Sequence, residues 1–336
     1  MIDLLWLFVP FFALVLMGWA AARGRLLPLE GIGAMNTFVL FFGLPAMVFR
    51  LSAGGALQQS GLLGLLLAYG AAGAVIVSLA LVWGVRAGLV RRDSGLLALV
   101  TVFPNTGFLG LPLLTGLLGP QAAGPVAATL LVDVLVLSSL CLAWAHSQGM
   151  SQGASSGAVS AQERGASEAL QAALTSLRGA LRNPLLWSMA AGLLASWWGL
   201  VLPQPVDETL RLLSLSATPA ALFTLGAMLA RAQMLGPTDR RDSAAVWGPT
   251  LLKLVLHPGL VWLAGMGLRS TGLAVPDAGL ITLTLAAALP SASNVSMLAE
   301  REGADTALVA RVILWTTAAA LLTVACWAHG LGVRPP

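Results

Sequence analysis

The chain is poor in charge: of its 336 residues only 10% are Asp, Glu, Lys or Arg, against 57% hydrophobic. A soluble domain carries roughly 25% charged residues, so this mixture cannot cover a water-facing surface, and lipid is its expected solvent. Lysine is nearly absent: Lys253 stands alone among eighteen basic residues. The isoelectric point is about 10.0, but the basic residues are scattered through short loops and make no nucleic-acid face. Two cysteines, Cys141 and Cys326, both in apolar runs, exclude a disulfide framework and a thiolate metal site. Three histidines, His146, His257 and His329, lie far apart and form no ligand motif, so neither a metal nor a cofactor is expected. The HExxH zinc sequence, the GxSxG nucleophile elbow and the Walker A loop are missing too. Asp133 with Ser138 does not make a catalytic set, and the chain is not expected to be an enzyme or an ATP-driven pump.

What is present is a series of long apolar runs. A spanning helix needs about 20 of them in a row. Runs lie near 2–21, 32–51, 61–84, 95–118 and 122–145, then near 184–201, 207–230, 244–268, 276–299 and 304–328. The first is read as a helix rather than a cleaved leader, because no basic stretch precedes it. These spans predict an all-α integral membrane protein of ten transmembrane helices. Residues 1–145 hold the first five and 183–330 the second five. Between them 146–182 reads as a polar linker, with a short surface helix expected at 166–181. Loops after helices 1, 3, 5, 7 and 9 carry twelve arginines, and the opposite loops carry Arg50, Arg211, Arg269 and Arg334. By the positive-inside rule both termini face outward and the linker is cytoplasmic.

The halves repeat. Leu44-Pro45-Ala46 in helix 2 aligns with Thr218-Pro219-Ala220 in helix 7, and Phe103-Pro104-Asn105 in helix 4 with Leu289-Pro290-Ser291 in helix 9. A five-helix repeat has an odd number of spans, so its second copy is inverted. Within helix 4, Pro104 and Pro112 flank Asn105, Thr106, Gly107 and Gly110. Within helix 9, Pro290 precedes Ser291, Ser293 and Asn294. Proline removes a backbone donor and breaks the helix, and the freed groups cannot face lipid. Single breaks of this kind are ordinary kinks capped by their own polar side chains. Paired breaks in matching halves point instead to a binding site near the midplane, where half-helix N-termini suit an anion.

The run Asn105-Thr106-Gly107-Phe108-Leu109-Gly110-Leu111-Pro112 resembles the signature of the auxin efflux carrier family, which includes plant PIN carriers and bacterial malate or malonate permease-like proteins. Asn36-Thr37 leading to Pro45, Asn183-Pro184, Lys253 to Pro258, and Pro290 to Asn294 support the resemblance, which spans about 3–328 without the linker. It implies an NhaA-like fold, two inverted repeats with helices 4 and 9 crossing at their breaks. It implies a scaffold of helices 1, 2, 6 and 7 that forms a homodimer, and a moving part that slides past it as an elevator. Asn105 and Asn294 would contact a substrate carboxylate, and Leu44 would face the same pocket. Plant carriers have a charged site involving the third helix, whereas 61–84 here carries no charge.

Three ionisable residues fall inside spans: Asp133, Lys253 and Arg311. A charge at the bilayer centre costs about 2.5–3.5 kcal/mol on insertion scales, so each needs an interior partner. Lys253 is read either as counter-ion to a bound anion or as half of a structural pair with Asp133. Asp133 and His257 are the proton-coupling candidates, and Arg311 snorkels to the cytoplasmic surface. The expected function is secondary active or potential-driven transport of small organic anions by alternating access across the cytoplasmic (inner) membrane. The alternative is a membrane receptor that binds a small carboxylate without moving it.

Overall fold

A computed structural model describes residues 2–55, 61–146, 184–235 and 243–333. Of the linker read at 146–182, His146 belongs to the helix before it, and the rest, with its expected surface helix, lies outside the described residues. Everything described is helical apart from turns and one isolated antiparallel bridge, Pro104 to Ser291. In chain order the helices are α1 (Ile2–Arg23), α2 (Gly31–Ala53), α3 (Leu62–Arg86), α4 (Arg91–Val102), α5 (Thr106–Leu118) and α6 (Pro120–His146). They continue as α7 (Pro184–Trp197), α8 (Gln204–Leu235), α9 (Val246–Ser270), α10 (Asp277–Ala288), α11 (Asn294–Arg301) and α12 (Thr306–Gly330). Six of these, α2, α3, α6, α8, α9 and α12, are long and apolar enough on their own to cross a membrane. α7 stops at Trp197, short of the expected 201, because Gly199 turns the chain with φ +60.

Prolines shape three helices without ending them. Each of Pro45, Pro112 and Pro258 follows a single π-helical turn, at Val39–Gly43, Thr106–Gly110 and Leu252–Leu256. The wider turn makes room for the proline ring against the preceding turn. Pro258 has no N–H to offer Leu254, and the carbonyl of Leu254 accepts from the indole of Trp327 instead, at 3.0 Å. A fourth π turn opens at Asp133.

The helices pack in two sets. α1, α2, α7 and α8 pack most extensively on one another, and α3 to α6 with α9 to α12 form the second set. Within the first, α1 and α8 approach backbone to backbone. A methyl group added at Gly18 would lie 1.9 Å from the carbonyl oxygen of Phe223, and one at Gly226 only 1.8 Å from that of Val15. Small residues let helices in lipid come this close, where packing and not hydrophobicity drives association. The sets meet where α8 packs on α12 and on the first turn of α5, and where α1 packs on α12.

Candidate functional site

The site grows from two prolines. Phe103, before Pro104, is held extended at φ −78, ψ 109, and Leu289, before Pro290, at φ −61, ψ 154. The proline ring excludes the helical region for the residue before it, so α4 and α10 both end there. The two broken strands lie antiparallel and complete one another's hydrogen bonding. Asn105 N–H donates to the carbonyl of Pro290 at 2.8 Å, and Ala292 N–H to that of Phe103 at 3.0 Å. Ser291 N–H donates to Oγ1 of Thr316 on α12 at 3.1 Å. Val102, the last residue of α4, accepts from Nζ of Lys253 at 3.1 Å. The backbone groups freed by the breaks are thus taken up by the opposite strand and by side chains from α9 and α12.

The side chains at the crossing are less well provided for. Nδ2 of Asn105, Oγ of Ser291 and Oγ of Ser293 are buried and have no hydrogen-bond partner among the described residues. A buried donor or acceptor left unpaired costs about 1–3 kcal/mol, so three at one bridge mark a place where a polar guest or water belongs. Two half-helices begin there, α5 at Thr106 and α11 at Asn294, each with the positive end of its dipole at the crossing. Pro104, Pro290 and Thr106 are buried, whereas Asn294 is exposed, so the two asparagines that the family resemblance pairs are in unlike surroundings. Leu44 is buried at 1% exposure, and its Cδ1 stands 3.7 Å from where a Gly107 side chain would begin. Oγ1 of Thr224, on α8, is a further buried hydroxyl without a partner.

Behind the crossing lies a buried polar cluster from three helices. Tyr69 Oη, on α3, donates to Asp133 on α6, 3.0 Å from Oδ1 and 3.2 Å from Oδ2. The Tyr69 ring packs against that of His257 on α9, with centroids 5.5 Å apart. Nδ1 of His257 is 3.3 Å from Nζ of Lys253, one turn earlier. All four side chains are fully buried. Asp133 and Lys253 belong to this one cluster, yet none of the ion pairs among the described residues joins them. The direct pair considered from sequence is therefore replaced by separate partners for each charge. Tyr69 and Thr316 were not singled out from sequence, although Tyr69 is the only tyrosine of the chain and sits inside an apolar run. Arg311 is half-buried on α12.

Several apolar helices around a buried polar site at paired helix breaks define an integral, multi-pass membrane protein of the transporter class. The comparison with known proteins agrees. The sequence model of the family described as "Membrane transport protein" matches residues 4–328, and the chain belongs to that family, the auxin efflux carriers. It is 28% identical over 327 residues to a protein of Rhizobium meliloti described as "Putative malonate transporter", covering 96% of this chain and 94% of that one. It is also 25% identical over 321 residues to an "Uncharacterized transporter" of Methanothermobacter thermautotrophicus, covering 94% of each. The chain is a transporter and not an enzyme.

Proposed function

We propose that this protein is a secondary transporter of small organic anions, with the α4–α5 and α10–α11 crossing as its substrate site. The observation that carries the proposal is the trio of unpartnered buried groups, Asn105 Nδ2, Ser291 Oγ and Ser293 Oγ, at two half-helix N-termini. Amide and hydroxyl donors beside positive helix ends suit a carboxylate. The relative described as a malonate transporter makes malonate the first acid to try. Lys253 acts from behind the site, through the carbonyl end of α4, and Asp133 and His257 are the groups on which a coupled proton would travel.

The architecture in this reading has ten spans, counting α4–α5 and α10–α11 as one broken span each, in two inverted repeats. The separate packing of α1, α2, α7 and α8 supports a scaffold past which the other helices move, an elevator form of alternating access. The scaffold set would also form a homodimer. Both termini face away from the cytoplasm and the linker lies in it, a reading that the arginine distribution supports.

The test is uptake of labelled malonate, malate and indole-3-acetate into liposomes holding the pure protein, with and without pH and voltage gradients. Uptake of one acid, lost in a folded Asn105→Ala, Ser291→Ala variant, is the expected result. Saturable binding with no uptake would replace transport by reception, and neither binding nor uptake would overturn the anion site.

A further inference from the structure

The buried cluster poses a physical problem. Asp133 and Lys253 are fully buried, of opposite charge, and joined into one cluster through Tyr69 and His257. In a medium of low dielectric their attraction is many times what it is in water, and direct contact is the arrangement expected of them. They do not make it. Both carboxylate oxygens of Asp133 are engaged by the Tyr69 hydroxyl, and the Lys253 ammonium is held by the Val102 carbonyl and by His257 Nδ1. The Tyr69 ring, packed on His257, fixes the hydroxyl from the other side.

We infer that Tyr69 is a positioning residue: by occupying Asp133 it leaves Lys253 free to cap the carbonyl end of α4 at the crossing. Val102 is the last helical residue before the break, and its carbonyl has no donor within the helix, because the chain has already turned into the bridge. An ammonium there meets both that lone carbonyl and the negative end of the half-helix dipole. Without the Tyr69 hydroxyl, the carboxylate has an unfilled acceptor, and Lys253 is the cationic donor of the same cluster. The lysine then swings to Asp133, the end of α4 frays, and the bonds from Asn105 to Pro290 and from Ala292 to Phe103 lose their support. The hydrogen bonds and ring contact of Tyr69 go to Asp133 and His257, and it acts on the candidate substrate site through the charges of Asp133 and Lys253.

This goes beyond the transport reading, depends on it only for its consequence, and is tested without a substrate. Amide hydrogen exchange is followed in the pure full-length protein over segments 102–106 and 289–293. Tyr69→Phe should speed exchange there by about tenfold or more, and Lys253→Met should do the same. Adding Asp133→Asn to Tyr69→Phe removes the charge that captures the lysine, so exchange should return to within about threefold of the unmodified protein. A Tyr69 that merely filled space would not be rescued by a change at Asp133. Unchanged exchange in Tyr69→Phe, or a double variant as fast as the single one, would overturn the inference. If Tyr69→Phe does not fold, recovery of folded protein in the double variant supports the inference and failure to recover it counts against it. Slow exchange in a protein that moves none of the acids would sink the transport proposal and leave this one standing.

Discussion

Replacing Asn105 by leucine, an apolar side chain of similar shape, should move stability and binding in opposite directions. In the empty protein Nδ2 of Asn105 is buried without a partner, a situation that costs about 1–3 kcal/mol. Leucine removes the orphaned donor and largely keeps the packing, so the empty variant should be the more stable, by up to about that amount. With substrate the sign reverses. A hydrogen bond from this amide to a carboxylate is charge-assisted and contributes about 1.5–3 kcal/mol, so its loss should weaken affinity about 10- to 100-fold. The two effects separate in one assay, thermal unfolding in detergent followed by tryptophan fluorescence, with and without malonate. At malonate about 100 times the unmodified protein's Kd, ligand stabilises that protein by about 2.7 kcal/mol. A variant weakened 100-fold would gain only about 0.4 kcal/mol at the same concentration. The expected record is a higher midpoint without malonate and almost no shift with it. A variant less stable when empty, with the full malonate shift intact, would refute the reasoning and make Asn105 a structural residue.

Other parts of the structure give predictions of their own. Gly226→Val places a side chain where Val15 O already lies 1.8 Å from the added carbon. It should separate α1 from α8 and cost at least about 1–3 kcal/mol, read as lost monodisperse protein on size-exclusion chromatography. Thr316→Val keeps the shape but removes the acceptor for Ser291 N–H. It should destabilise the protein by about 1–3 kcal/mol, seen as a lower unfolding midpoint, while Thr317→Val, whose hydroxyl bonds only within its own helix, changes little. At the end of α6, His146 Nε2 lies 2.8 Å from Oε2 of Glu302, whose Oε1 accepts from Arg301. Partial burial alone would raise the Glu302 pKa, but His146 and Arg301 outweigh it and hold the carboxyl below its usual range. A depressed carboxylate stabilises the fold above its unfolded pKa, about 4.3, and loses that contribution as pH falls through the folded value. Glu302→Gln should therefore lower the unfolding midpoint at neutral pH and converge with the unmodified protein in acid. A constant gap across the range would contradict the linkage.

Much of this protein is determined by its sequence alone, because the physics involved is local or one-dimensional. The scarcity of charge demands lipid, and uninterrupted apolar length demands helices. Proline dictates its own neighbour's backbone, so the ends of α4 at Val102 and of α10 at Ala288 fall at Pro104 and Pro290, the prolines that the sequence marks. The family signature at 105–112 is likewise a matter of consecutive residues. Pairing was not legible. Nothing in the spacing of Tyr69, Asp133, Lys253 and His257 says that the hydroxyl takes the carboxylate while the carbonyl of Val102 takes the lysine. Those residues are up to 188 positions apart, and their partners depend on how α3, α6 and α9 rotate about their axes. The same holds for Thr316, one helical threonine among many, whose use by Ser291 needs the crossing to exist first. It holds too for Asn105 and Asn294, paired by the family resemblance yet one buried and the other exposed. Sequence places the breaks in the helices; only tertiary packing decides which groups are satisfied there and which are left for a substrate, because burial and hydrogen bonding belong to the assembled neighbours and not to the residue.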